Sequence, residues 1–246
     1  MNTSNFINEF EKYYFHETYK PNDRWKLKGI KTTYKAAEEK IVNKLRNGEH
    51  DEYVIAWKVG AYKKEDQKID RQKIKGRKSF DVSDYIINTY NNKDWIKCTI
   101  SDALKDLNNH DYSAGVKRLS SVFSHLQDKS NCDGLGTVYL INSMFFLSKG
   151  EIPLYDKNVY KAVQALFLGK SPSQIIVSEA PPKEDVVGAM LRLLEYMWLL
   201  DQVFGKSKTQ KSNQFSDCEH VGYISRGLDR ALWVYGQSQG QCFEDK

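Results

Sequence analysis

The stretch Cys132-Asp133-Gly134-Leu135-Gly136-Thr137-Val138-Tyr139-Leu140-Ile141 and, one apolar helix further on, Ile152-Pro153-Leu154-Tyr155-Asp156 decide how this chain is read. Together they spell the end of one helix, a glycine turn, a second helix and then a carboxylate. Glycine takes the positive backbone torsions of a tight turn, and its missing side chain lets another backbone come close. The turn opens directly into a helix whose first N–H groups are unpaired and carry the positive end of the helix dipole, a combination suited to a phosphate. Asp156 then arrives just ahead of the next helix.

Working outward from this core, apolar spacing favours helices almost everywhere, so the expected fold class is all-α. Phe6, Phe10, Tyr13 and Tyr14 mark a first helix that stops before Lys20-Pro21, and residues 33–45 a second, ended by Asn47-Gly48. Residues 53–57 begin or continue a third after the acidic pair Asp51-Glu52, which suits a helix N-terminus. Ser83 is expected to cap a helix running to Tyr90, and Thr99 or Ser101 another that ends at Leu107. Residues 112–126 place Val116, Leu119, Val122, Phe123 and Leu126 on one face and lead into the glycine turn, which residues 138–147 follow. An amphipathic helix after Asp156 extends through Phe167. Pro172, Pro181 and Pro182 mark a loop, residues 186–204 a long helix, residues 205–214 a polar stretch, and residues 219–235 the last helix.

Bulk properties bound the function classes. A chain of 246 residues, 40% hydrophobic and 13% aromatic with only 5 prolines, has ample material for a core and argues against extended disorder. No apolar run approaches the roughly 20 residues that span a bilayer. The N-terminus, Met1-Asn2-Thr3-Ser4-Asn5-Phe6, lacks the basic start and apolar core of a secretory signal, so a soluble protein of the cytoplasm is expected. Cys98, Cys132, Cys218 and Cys242 are far apart without a Cys-x-x-Cys, and the histidines are scattered, so no structural metal, disulfide framework or cofactor is expected.

The charge is unevenly spread. Residues 58–78 carry Lys58, Lys63, Lys64, Lys68, Arg71, Lys73, Lys75, Arg77 and Lys78 against Glu65, Asp66 and Asp70, an excess larger than the +5 of the whole chain. Such a cluster attracts phosphates by releasing counterions, with an affinity that falls as salt rises. The plainer reading is a solvated charged loop.

The order of Ala56-Trp57-Lys58-Val59-Gly60, then Gly134-Leu135-Gly136 with Ile152-Pro153-Leu154-Tyr155-Asp156, then Leu228-Asp229-Arg230-Ala231-Leu232-Trp233-Val234-Tyr235-Gly236 resembles the helix-hairpin-helix DNA glycosylase superfamily. More narrowly, it resembles the bacterial proteins described as 8-oxoguanine DNA glycosylase-like. The resemblance frames most of the chain and implies a single glycosylase-like domain over residues 1–246, built as two helical lobes with an intervening cleft. Residues 1–95 would supply N-terminal helices with the basic segment, residues 96–170 the helix-hairpin-helix with Asp156, and residues 171–246 the C-terminal helices.

The activity implied is hydrolysis of the N-glycosidic bond of a damaged or modified base in DNA, in repair or in defence against phage. Asp156 would be catalytic, and Gly134, Gly136, Thr137, Lys149 and Lys157 would contact the DNA phosphates. Tyr155, Trp57 and Trp233 would line the base pocket, since enzymes that act on a base draw it from the stack and hold it against aromatic or apolar faces. Bifunctional members carry an attacking lysine near the start of the helix after the hairpin. Here that helix begins Thr137-Val138-Tyr139-Leu140-Ile141, so a monofunctional enzyme using water is expected.

Each of these residues also has a plainer use. An aspartate just before an amphipathic helix is an ordinary N-cap, and two glycines between helices often do no more than close one and open another. Trp57 and Trp233 fit core packing, and Lys149 and Lys157 an ordinary surface. Asp229-Arg230 is either a surface pair or part of the lobe that closes the cleft. The competing functions are therefore a non-catalytic DNA-binding protein that retains the helix-hairpin-helix, and a helical interaction protein whose glycine turn is structural.

Overall fold

A computed structural model describes residues 2–15, 35–47, 49, 88–129, 137–177, 181, 185–205 and 225–238. The helix expected at residues 53–57, the basic segment, the Ser83 cap, Trp57, Gly134, Gly136 and residues 206–224 lie outside them. Every regular element among the described residues is helical: α1 (Thr3–Phe10), a 3-10 turn η1 (Glu11–Tyr14), α2 (Lys35–Arg46), α3 (Asp94–Asn108), α4 (Tyr112–Lys129), α5 (Thr137–Leu147), α6 (Lys157–Leu168), η2 (Pro172–Gln174), α7 (Val186–Phe204) and α8 (Arg226–Gln237). The chain is all-α in this sense, and no helix among these residues is long and apolar enough to cross a membrane.

The chain divides into two compact units, one of Met1–Thr32, Tyr155–Glu179 and Glu195–Lys246, the other of Thr33–Leu154 and Ala180–Leu194, with the division falling inside α7. In the second unit, α3 buries Ile96, Ile100, Ala103 and Leu107, a stripe at helical spacing that packs on Val116, Leu119, Val122, Phe123 and Leu126 of α4. The two helices come close enough that a Cβ on Gly115 would lie 2.6 Å from Leu107 Cγ. α3 starts at Asp94, ahead of the cap expected at Thr99 or Ser101, because its apolar stripe already begins at Ile96. Thr99 therefore sits inside the helix and its hydroxyl donates to the Trp95 carbonyl at 2.8 Å.

α5 is buried nearly all round, as its apolar sequence requires. Its end is a Schellman turn. Lys149 adopts a left-handed φ of 57°, its N–H donates to the Phe146 carbonyl at 3.1 Å, and the N–H of Gly150 reaches the Phe145 carbonyl at 2.7 Å. The Ser148 hydroxyl then accepts the Ile152 N–H at 2.9 Å, which fixes the exit toward Pro153.

In the first unit, α8 packs against α6, α1 and η1. Phe6 and Phe10 of α1 meet the Tyr235 ring edge-on at 5.6 and 5.1 Å. α8 begins at Arg226, after an extended Ser225 whose hydroxyl accepts the Leu228 N–H at 3.1 Å; residues 219–224, the expected start of the last helix, lie outside the described residues. α6 ends on Gly169, whose φ of 63° is open to glycine at little cost, with Lys170 N–H closing on the Ala165 carbonyl at 2.9 Å.

Candidate functional site

Asp156 stands directly before α6 with an extended backbone, φ −139° and ψ 148°. Its Oδ1 accepts the Asn158 N–H at 2.7 Å, and its carbonyl accepts the Tyr160 N–H at 2.9 Å. This is an N-cap: it satisfies an amide that the helix itself leaves unpaired. The side chain is partly exposed, and its second oxygen takes no hydrogen bond among the described residues. One oxygen is anchored while the other is available, an arrangement that can orient a water or face a developing cation.

Tyr155 is buried, with its ring 5.6 Å from each of Tyr160 and Tyr196. Tyr196 is fully enclosed, and burial holds its hydroxyl proton well beyond the usual phenol range; the negative charge of Asp156 and then Tyr155 push the same way, while Arg226 opposes them. Tyr196 is therefore a neutral donor. The charges of Asp156, just before α6, and of Arg226, at the start of α8, thus act on this hydroxyl in opposite directions.

α8 presents Arg226, Asp229, Arg230 and Trp233 at helical spacing. Arg226 pairs with Asp229 and donates to the Tyr14 hydroxyl at 3.2 Å. Arg230, only 1% exposed, donates through Nε to Glu11 Oε1 at 2.8 Å and through a second guanidinium nitrogen to the same oxygen. Asp229 and Arg230 are thus both buried, which excludes the surface pair that the sequence left open. Trp233 is partly exposed and meets Tyr14 edge-on at 5.6 Å. Asp229 Oδ1 is buried without a hydrogen-bond partner among the described residues, a position that costs free energy unless something supplies a donor.

The remaining predicted residues fall as follows. Lys157 opens α6 and is exposed. Thr137 opens α5 and is buried, its hydroxyl donating to the Pro181 carbonyl at 3.1 Å. Lys149 is exposed at the Schellman turn. Beside it, burial raises the Glu151 carboxyl above its ordinary value, and the Lys149 charge partly offsets that. Asp156, Tyr155, Lys157 and Trp233 belong to the first unit, Thr137 and Lys149 to the second.

Sequence reasoning did not single out Tyr196, Arg226, Asn158 or Glu11. Arg226 with Asp229, three residues apart on α8, was the one legible signal among them. Among the described residues no three His, Cys, Asp or Glu side chains gather as a metal site would need. Comparison with protein-family models, with curated proteins and with solved structures returns no match.

Proposed function

We propose that this chain is a monofunctional DNA glycosylase that hydrolyses the N-glycosidic bond of a damaged or modified base, with Asp156 as its catalytic carboxylate. The observation that supports this reading most is the state of Asp156: anchored through Oδ1 by the Asn158 amide, partly exposed, and at the place in the chain that the resemblance assigns to catalysis. In this reading a helix-hairpin-helix at Gly134 and Gly136 holds the phosphate backbone, and the extruded nucleotide enters a cleft between two helical lobes.

The bond from C1′ to the base nitrogen breaks with its electron pair leaving on the base, and the sugar becomes oxocarbenium-like. The Asp156 carboxylate stabilises that cation and orients the water that adds to C1′; it takes the water's proton, which ends on the departed base, yielding an abasic site and the neutral free base. Unit charges about 4 Å apart in a partly screened site attract by about 4 kcal/mol, or roughly a thousandfold in rate. No covalent enzyme–sugar bond forms, because the helix after the hairpin opens without a lysine.

The capping bond of Asp156 also fits a purely structural carboxylate, as in a non-catalytic DNA-binding protein. The two part on one experiment. Duplexes carrying single modified bases are incubated with wild type and with Asp156→Asn, and abasic sites are scored alongside duplex affinity. The glycosylase reading expects base release by wild type and its loss in the variant with affinity retained; affinity without release from any duplex favours the binding protein. A protein–DNA adduct trapped by borohydride would overturn the monofunctional chemistry.

A further inference from the structure

Glycine inside a helix costs roughly 1 kcal/mol relative to alanine, so Gly236, buried in α8, needs a reason to be there. A Cβ at this position would lie 2.1 Å from the Asn158 carbonyl oxygen, 2.7 Å from its carbonyl carbon and 3.2 Å from its Cα. All three atoms are backbone, so no side-chain rotation relieves the contact. The closest ordinary carbon-to-oxygen approaches are about 3.3 Å, which leaves a shortfall of about 1 Å.

Asn158 is also the residue whose N–H holds Asp156 Oδ1 at 2.7 Å. Its amide and its carbonyl join at the Cα that the added methyl would crowd, so displacing the carbonyl swings the amide with it. The Tyr160 N–H bond to the Asp156 carbonyl, 2.9 Å, ties the same first turn to the Asp156 backbone.

We propose that Gly236 is a positioning residue: the absence of a side chain there lets the first turn of α6 seat against α8, and that seating aims the Asp156 carboxylate. This rests on the reading of Asp156 as catalytic, and the test separates the two. Misplacing a reacting group by about 1 Å costs on the order of a hundredfold in rate. Gly236→Ala, Asp156→Asn and the double variant are made in the full chain, and single-turnover base release is followed on duplexes carrying 8-oxoguanine, uracil, hypoxanthine or 5-hydroxymethyluracil. Amide hydrogen exchange at Asn158 is measured by NMR, with Lys170 at the far end of α6 as control.

The expected result is a Gly236→Ala protein that melts cooperatively, binds duplex as wild type does, and releases base ten- to a hundredfold more slowly, on the order of the loss above. Its Asn158 amide exchanges about fivefold faster, as loss of one hydrogen bond predicts, while Lys170 is unchanged. The double variant releases base no more slowly than Asp156→Asn alone. Wild-type release and wild-type Asn158 exchange in a folded Gly236→Ala would overturn the proposal. So would rate losses that add in the double variant, or a variant that does not fold, since the contact would then serve the unit as a whole. Base release unaffected by Asp156→Asn, or absent in wild type, would instead remove the catalytic reading, and Asn158 exchange would still decide whether Gly236 sets the amide.

Discussion

Removing the Glu11 carboxylate should be among the most damaging single changes available in the first unit. Arg230 is 1% exposed and directs two guanidinium nitrogens at Glu11 Oε1, while its guanidinium carbon lies 5.2 Å over the Phe15 ring. Glu11→Leu would remove the carboxylate that two guanidinium nitrogens of the buried Arg230 bond, and breaking a buried pair in this way typically costs about 3–5 kcal/mol. Against a total stability of about 5–15 kcal/mol that is a large share, and for a chain of this size it corresponds to a fall of roughly 10 °C in Tm. Glu11→Leu combined with Arg230→Met removes both charges and should recover most of the loss, because a well-packed apolar pair often equals or exceeds a buried ion pair. Urea denaturation of the wild type, both single variants and the double variant gives the coupling energy, expected to exceed about 2 kcal/mol. A Glu11→Leu protein destabilised by less than about 1 kcal/mol, or single effects that simply add, would refute the claim that this pair joins η1 to α8.

Three further outcomes can be measured. Asp156→Asn keeps a side-chain oxygen able to cap α6 and should leave Tm nearly unchanged, whereas Asp156→Ala should cost about 1 kcal/mol, so thermal melts separate the capping duty from catalysis. Glu151 has its carboxyl raised by burial, so the folded state binds that proton more tightly than the unfolded chain does. Its contribution to stability is then greatest when protonated and falls as pH rises from the ordinary carboxylate range through the raised value; Glu151→Gln should stabilise near neutral pH and lose that advantage in acid, as urea midpoints measured across pH will show. If residues 58–78 bind phosphates, duplex affinity should fall steeply with salt, and the log–log slope should become shallower by about 0.9 for each phosphate-binding lysine that is neutralised; a flat salt response would point to an interaction protein instead.

How much of this was legible depended on whether a feature was local. The all-α class followed from apolar spacing, and the helix after Asp156 begins where the sequence put it, because its cap and apolar stripe are encoded within a single turn. The start of α3 was misplaced because Thr99 offered an attractive cap. The helix instead begins at Asp94, without a side-chain cap, since burying Ile96 outweighs one capping bond. The burial of Asp229 and Arg230 was not legible at all: charged neighbours read as surface until Glu11, more than two hundred residues away in sequence, supplies the counter-charge. Gly236 likewise stood in the quoted terminal segment, but its reason is the Asn158 carbonyl, and no local pattern reveals that approach of two backbones.

The most direct test of the account is the product of a single turnover. Mass spectrometry of reactions on duplexes carrying one modified base should detect the free base and an intact abasic strand in equal amounts from wild type. Asp156→Asn, folded and bound to the same duplex, should release base about a thousandfold more slowly. Release by Asp156→Asn at the wild-type rate, or no free base from any duplex despite tight binding, would contradict it.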